Sequence, residues 1–171
     1  MIHRPETVLI IAAHHDDETI GCGGTIKKWS DLGSKIHVLF VTNGNTGIDQ
    51  ENKYSSEGIV SVRIRESEQV AKMLGISKLC NLDVPCQGVK NTQKLFHQII
   101  HHIRKIKPNL VLTHLNNDKH RDHVQISKIV KEACWKSNED IHNELGECHK
   151  IDDLWAFEIT DLLPRVDVIV D

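Results

Sequence analysis

Hydrophobic and polar positions alternate between two rhythms along this chain. Residues Thr7–Ala13 form a continuous apolar, β-rich run, the pattern of a strand buried on both faces. A glycine-rich turn then leads into a helix predicted over Thr25–Leu32 and closed by Gly33. "KIHVLFVT" at Lys35–Thr42 reads as a second strand, and the polar stretch Asn43–Gly58 as a loop. Helical spacing returns over Val60–Leu74, with Val62, Val70, Met73 and Leu74 on the apolar side and Gly75 as the stop. Leu79–Val84 predicts a short third strand. Thr92–Ile106 is the clearest amphipathic helix, carrying Leu95, Ile99, Ile103 and Ile106 and ending before Pro108. "LVLTH" at Leu110–His114 is a fourth strand, and Val124–Trp135 repeats the helical pattern through Ile126, Ile129, Val130 and Ala133. Asp153–Glu158 and Val166–Val170 predict two further strands. Strands that alternate with helices imply right-handed crossovers, hence a Rossmann-like α/β fold: three layers, α/β/α, around a mostly parallel sheet.

That architecture gives meaning to two polar clusters. "HHDDE" at His14–Glu18 follows the first strand directly, and "DKHRDH" at Asp118–His123 follows the fourth after a short loop. Ligands of open parallel sheets bind outside the carboxyl ends of the strands, so clusters about a hundred residues apart are expected on one rim, with a metal site at the ends of strands one and four. A hydrolytic zinc site needs about three nitrogen or oxygen ligands and an open position. His14, Asp17 and His123 supply such a set. Asp16 is then left beside the metal to take a proton from water that zinc has brought to a pKa of about 7. His120, with Asp122 holding its ring, is a candidate cation for a developing oxyanion. Plainer readings exist for single residues: Asp17 or Thr19 as a helix cap, Glu18 as a structural partner, Cys22 as a packing residue. "TIGCGG" lacks the lysine of a phosphate loop and the GxGxxG register, so tight helix packing is expected there.

Composition narrows the partners. The 171 residues carry a formal net charge of -3, leaving no basic field for nucleic acid or an anionic membrane. Five cysteines without a CxxC pair suggest reduced thiols and a cytoplasmic setting rather than a disulfide framework. The only early apolar stretch is too short and wrongly flanked for a signal peptide, and no run reaches membrane length. No internal repeat or linker breaks the chain.

"AAHHDDETIGCGG" resembles the AHPDDE signature of the LmbE/PIG-L family of zinc-dependent N-acetylglucosamine-type de-N-acetylases, and "DKHRDH" resembles its later HPDH signature. "VTNG", "VRIRESEQVAKMLGI" and "RVDVIVD" extend the resemblance over nearly the whole chain. It implies a single deacetylase domain over residues 1–171, with a C-terminal part of the family domain missing. It implies a metal set of His14, Asp17 and His123, Asp16 as general base, and His120 with Asp122 on the oxyanion and acid side. Arg63 matches the family's sugar-contacting helix arginine, with Arg65 the fallback if the register is shifted. The implied cofactor is Zn2+, with Fe2+ compatible, and the implied substrate a small N-acetylated sugar or glycoconjugate; a homo-oligomer is allowed. Two departures stand out: His15 and Arg121 replace the prolines of the two signatures, removing residues that stiffen loops. His15 is a potential competitor for the metal, although sequence neighbours usually point apart. The departures keep open a metal-binding, weakly active member of the fold that acts as a binding module. Phosphoester hydrolysis is a third class, one that normally wants two metals and more carboxylates.

Overall fold

A strand without a polar face needs cover on both sides, and β1 (Thr7–Ala12) has it: Val8 through Ala12 are fully buried. The computed structural model describes residues 4–47, 55–162 and 166–170. In chain order the elements after β1 are α1 (Asp17–Asp31), β2 (Lys35–Thr42), α2 (Ser56–Leu74), β3 (Lys78–Val84), α3 (Gln93–Ile106), β4 (Leu110–His114), α4 (Arg121–Lys136) and β5 (Asp153–Phe157). All pairings are parallel and the strand order is β3-β2-β1-β4-β5, with β1 central. The chain reverses its direction across the sheet between β1 and β4, and both polar clusters leave the sheet at that point.

Alternate residues of β1 serve two cores. Leu9 and Ile11 pack with Ile99 and Ile103 of α3 and Ile126, Ile129 and Val130 of α4. Val8, Ile10 and Ala12 face the other way, against Ile26 and Trp29 of α1 and Phe157 of β5. A three-layer α/β/α fold is thus present as expected.

Several boundaries differ from the sequence pattern. α1 starts at Asp17 rather than Thr25, so the glycine-rich stretch is helical, with a kink at Cys22 where φ is -147°. Gly21 is there for packing: a Cβ on it would lie 2.4 Å from Cδ2 of Phe157. Asp17 and Glu18 lie in the first turn, where the helix dipole favours acidic side chains. α2 begins at Ser56, capped by the Ser55 hydroxyl, which accepts from the Gly58 amide. It ends at Gly75, whose φ of 74° suits a left-handed cap. α4 begins at Arg121, capped by His120. Residues 166–170 form no strand; β-branched composition becomes a strand only where a partner is at hand to pair with it.

The sequence pattern also hides Arg104, which is 1% exposed on the inner face of α3. Its guanidinium donates to the carbonyls of Ser137, Glu139, Ile141, His142 and Gly146. A buried charge is thereby solvated by carbonyls after the end of α4, and it fixes the connection to β5. Among the described residues no helix is long and apolar enough to cross a membrane.

Candidate active site

β1 ends at Ala12, and the next four residues turn tightly into α1. Asp17 accepts the His14 amide at 2.7 Å across that turn, which puts the His14 ring and the Asp17 carboxylate side by side. On the neighbouring strand β4 ends at His114, and the loop after it delivers His120 to the N-cap of α4 and His123 to its first turn. The result is a triangle of donor atoms. His14 Nδ1 lies 3.3 Å from Asp17 Oδ2, His123 Nε2 3.5 Å from the same oxygen, and the two ring nitrogens are 3.2 Å apart. Bond lengths of about 2.0–2.1 Å around a tetrahedral ion put neighbouring donors about 3.3 Å apart. The triangle therefore fits a zinc-sized cation at its centre.

Two further groupings of ligand atoms lie within reach: His14, His120 and His123, and Asp17, His114 and His123. Hydrogen bonding separates them from the first set. His114 Nε2 accepts the Ala13 amide at 2.8 Å, so its lone pair is already used. His120 Nδ1 accepts the Asp122 amide at 3.2 Å, which leaves the ring's proton on Nε2. His114 acts as a buried wall instead, stacked on His123 at 4.0 Å and edge-on to Phe157.

Each histidine of the triangle leans on a carboxylate behind it. His14 Nε2 lies 3.3 Å from Asp122 Oδ2, and His123 Nδ1 lies 3.2 Å from Asp118 Oδ1. The first is a hydrogen bond of the kind that selects a ring tautomer and aims its other nitrogen; the second is an ion-pair approach, since His123 Nδ1 has no hydrogen-bond partner among the described residues. This reassigns Asp122. The sequence pattern has it holding the His120 ring, whereas its fully buried carboxylate accepts from the Gln87 and Val89 amides and from His14, and only its backbone amide reaches His120. Asp118, Gln87, Val89 and His114 were missed as parts of the site. Asp118 lies inside the quoted "DKHRDH", but nothing in its spacing distinguishes a support from a surface acid.

Asp16 and Arg63 form the rim. Arg63 Nη2 donates to Asp16 Oδ2 at 2.7 Å and to the His15 carbonyl. Arg65 stays on the exposed side of α2, bonded to the Ser61 carbonyl, so Arg63 is the arginine that lines the cavity. That cavity holds about 580 Å³ and is lined by His14, Asp17, His120 and His123 together with Ile20, Val62 and Ile159. His15 points away from the triangle, to Ser67 and Asn81.

Titration follows from this packing. Burial opposes charge on His14, but the Asp17 hydrogen bond and charge outweigh it and push the ring up to about 9. Burial likewise opposes the charged form of Asp17, yet the histidines gathered around it, His114, His123 and His14, hold its carboxyl far below the usual range. His120 is lowered, first by burial and then by His14 and His123, so without metal it is a neutral donor rather than a standing cation. Burial pushes Glu18 up to about 7; its Oε1 accepts from Thr19, and its Oε2 has no hydrogen-bond partner among the described residues. Cys22 is buried in the core and bonded to the Glu18 carbonyl.

The class that fold and site define is a Rossmann-like α/β protein with a histidine–carboxylate cluster at the switch point of its sheet. Residues 9–134 match the family model PIG-L, described as GlcNAc-PI de-N-acetylase, and the chain belongs to that family. It is similar to the diacetylchitobiose deacetylase of Thermococcus kodakarensis, 35% identical over 105 residues, covering 61% of this chain and 39% of the relative. It is also similar to the mycothiol S-conjugate amidase of Streptomyces coelicolor, 24% identical over 148 residues, covering 74% of this chain and 50% of the relative. The chain thus spans half or less of the length of these two relatives. Among solved structures, an N,N'-diacetylchitobiose deacetylase from Pyrococcus horikoshii superposes with a TM-score of 0.83 at 25% identity, covering 90% of this chain and 60% of that one. A 4-carboxy-2-hydroxymuconate hydratase from Pseudomonas putida KT2440 shares the fold, with a TM-score of 0.82 at 21% identity, covering 90% of this chain and 66% of that one.

Proposed function

We propose that this chain, as one domain over residues 1–171, is a zinc-dependent N-deacetylase that removes acetyl from an N-acetylglucosamine-type sugar or small glycoconjugate. The observation that carries the reading is the His14–Asp17–His123 triangle, with edges of 3.2–3.5 Å, opening into a cavity whose rim is the Asp16–Arg63 pair. Membership of the PIG-L family and the similarity to deacetylases support the substrate class.

When bound, zinc would supply Lewis-acid polarisation of the amide carbonyl and acidify water nearby; iron in its divalent state suits the same donors. The side chains do the rest. Asp16 lines the same cavity as the triangle without being one of its corners, the position of a general base. His120 presents Nε2–H as a hydrogen-bond donor to the oxygen on which charge develops. Arg63 binds the sugar while its second contact, the His15 carbonyl, keeps it over the loop. Asp122 aims the His14 ligand by a hydrogen bond, and Asp118 sets a negative charge beside His123.

The test is acetate release from N-acetylglucosamine and N,N'-diacetylchitobiose, using protein of measured metal content before and after chelation. The reading expects about one metal per chain, acetate from at least one sugar, and loss of turnover on chelation that zinc restores. The hydratase with the same fold shows that the fold alone does not specify amide hydrolysis. Full metal occupancy without acetate from any N-acetyl sugar would decide for a metal-binding module.

A further inference from the structure

His15 occupies the place of a proline in the first signature, and the residue is 5% exposed. Every polar atom of that ring has a partner, and the direction of each bond can be worked out. The Ser67 hydroxyl donates to the Arg63 carbonyl at 2.9 Å, so its single proton is spent and it accepts from His15 Nδ1, 2.9 Å away. Asn81 Oδ1 accepts the Asp83 amide at 2.8 Å, which turns the Asn81 nitrogen toward His15 Nε2 at 3.1 Å as a donor. The ring is therefore the neutral Nδ1–H tautomer, and its flat face lies on Phe40 at 4.3 Å with the planes 14° apart. Three elements meet on one side chain: α2 through Ser67, β3 through Asn81 and β2 through Phe40.

The backbone of the same residue completes the junction. Its carbonyl accepts from Arg63, whose guanidinium also holds Asp16. Ser67 sits one helical turn beyond Arg63 and bonds the Arg63 carbonyl, so ring and carbonyl of His15 grip the same turn of α2 at both ends. Proline restricts φ and would keep the carbonyl that Arg63 reaches, but it offers none of the ring's bonds to Ser67 and Asn81.

We propose that His15 is a positioning residue: a three-way latch that sets Arg63 and Asp16 against each other by hydrogen bonds, where proline would stiffen the loop covalently. The proposal rests on the reading of Asp16 as base and Arg63 as sugar contact. It predicts that His15→Ala lowers kcat/KM by about 10–100-fold, the usual cost of losing a group that orients a reacting one, with metal content unchanged. His15→Asn, which keeps a donor near the Nδ1 position, should recover part of the loss. Ser67→Ala should lower activity in the same way and add little on top of His15→Ala, because the two act through one bond.

The tautomer is tested on the unaltered, metal-loaded protein by nitrogen-15 NMR of the imidazole. Protonated Nδ1 with bare Nε2 is expected, and protonated Nε2 overturns the latch even if no variant folds. Hydrogen exchange of the loop amides gives a second arm that needs no substrate: exchange should speed up in His15→Ala and Ser67→Ala. If the protein releases no acetate but these two signatures hold, the latch stands and the deacetylase reading falls. Unchanged exchange, unchanged turnover in His15→Ala, or losses that simply multiply would each overturn the latch.

Discussion

Replacing Asp122 by asparagine separates the role assigned to it by the structure from the one suggested by the sequence pattern. The carboxylate is fully buried and accepts from the Gln87 amide at 2.6 Å, the Val89 amide at 3.3 Å and His14 Nε2 at 3.3 Å. An asparagine has one acceptor oxygen. If that oxygen faces Gln87 and His14, its NH2 group meets the Val89 N–H, donor against donor. The loss is then a hydrogen bond to a charged acceptor, about 1.5–3 kcal/mol, plus a buried amide left unpaired, about 1–3 kcal/mol. Folded stability should fall by about 2–5 kcal/mol, the sum of those two ranges being discounted for relaxation. At the metal, His14 keeps a weaker acceptor behind it, and affinity should drop by about 10–100-fold. Chelator competition measures the zinc Kd, and thermal melts with and without zinc measure stability. An unchanged Kd and melting temperature with only kcat reduced would mean that the carboxylate serves His120, and the reassignment to His14 would be wrong.

Other outcomes follow from the same geometry. With the His14 ring pushed up to about 9 and His123 also raised by Asp17 in the metal-free chain, zinc must displace protons below that pH; affinity should rise with pH up to about 9, and calorimetry at pH 7.5 in buffers of different ionisation enthalpy should detect at least about one proton released. No proton release would remove His14 from the ligand set. His120→Ala should keep its zinc while kcat falls by about 10²–10⁴-fold, whereas His123→Ala should lose the metal; equal metal loss in both would make His120 a ligand. Glu18 gives the pH dependence of metal-free stability: with its carboxyl raised from 4.5 to about 7, the native state binds more protons than the unfolded one in that window, so stability falls as pH rises through it. The gap, at about 1.4 kcal/mol per pKa unit, bounds the gain of Glu18→Gln at about 3 kcal/mol at pH 8, with none at pH 4. Urea unfolding at both pH values checks this, and an equal effect at both would place the cost elsewhere.

The fold was legible where one residue's environment repeats along the chain. β1 lies between two helical layers, so its apolar run has no polar gap, and α3 shows its buried stripe at helical spacing because one side faces the sheet. Legibility failed at the start of α1, where glycines that read as a turn are helical. The reason is tertiary: Gly21 is needed by Phe157, more than a hundred residues away, and local propensity yields to that contact. The β-branched segment at 166–170 fails for the complementary reason, since strand propensity records a readiness to pair and not the presence of a neighbour.

The site divides along the same line. Titratable side chains placed directly after buried strands are costly unless something uses them, so the residues of the triangle, with Asp16 and His120, stood out from the pattern. Their supports did not, because a hydrogen-bond partner is chosen by rotamer and by proximity across the fold. Asp122 is two residues from His120 and 108 positions from His14, yet its carboxylate lies on His14. His114 closes a buried strand and reads as part of it; the 2.8 Å bond from the Ala13 amide, 101 positions away, and the Asp17 carboxylate 3.3 Å from the same nitrogen show why an imidazole stands there. His15 carries the argument furthest. Judged from sequence it is a lost proline and a potential rival for the metal, whereas its bonds to Ser67 and Asn81 turn both of its nitrogens away from the triangle. What a substitution removes in covalent stiffness can be returned as hydrogen bonds, and only the positions of distant residues reveal that it has been.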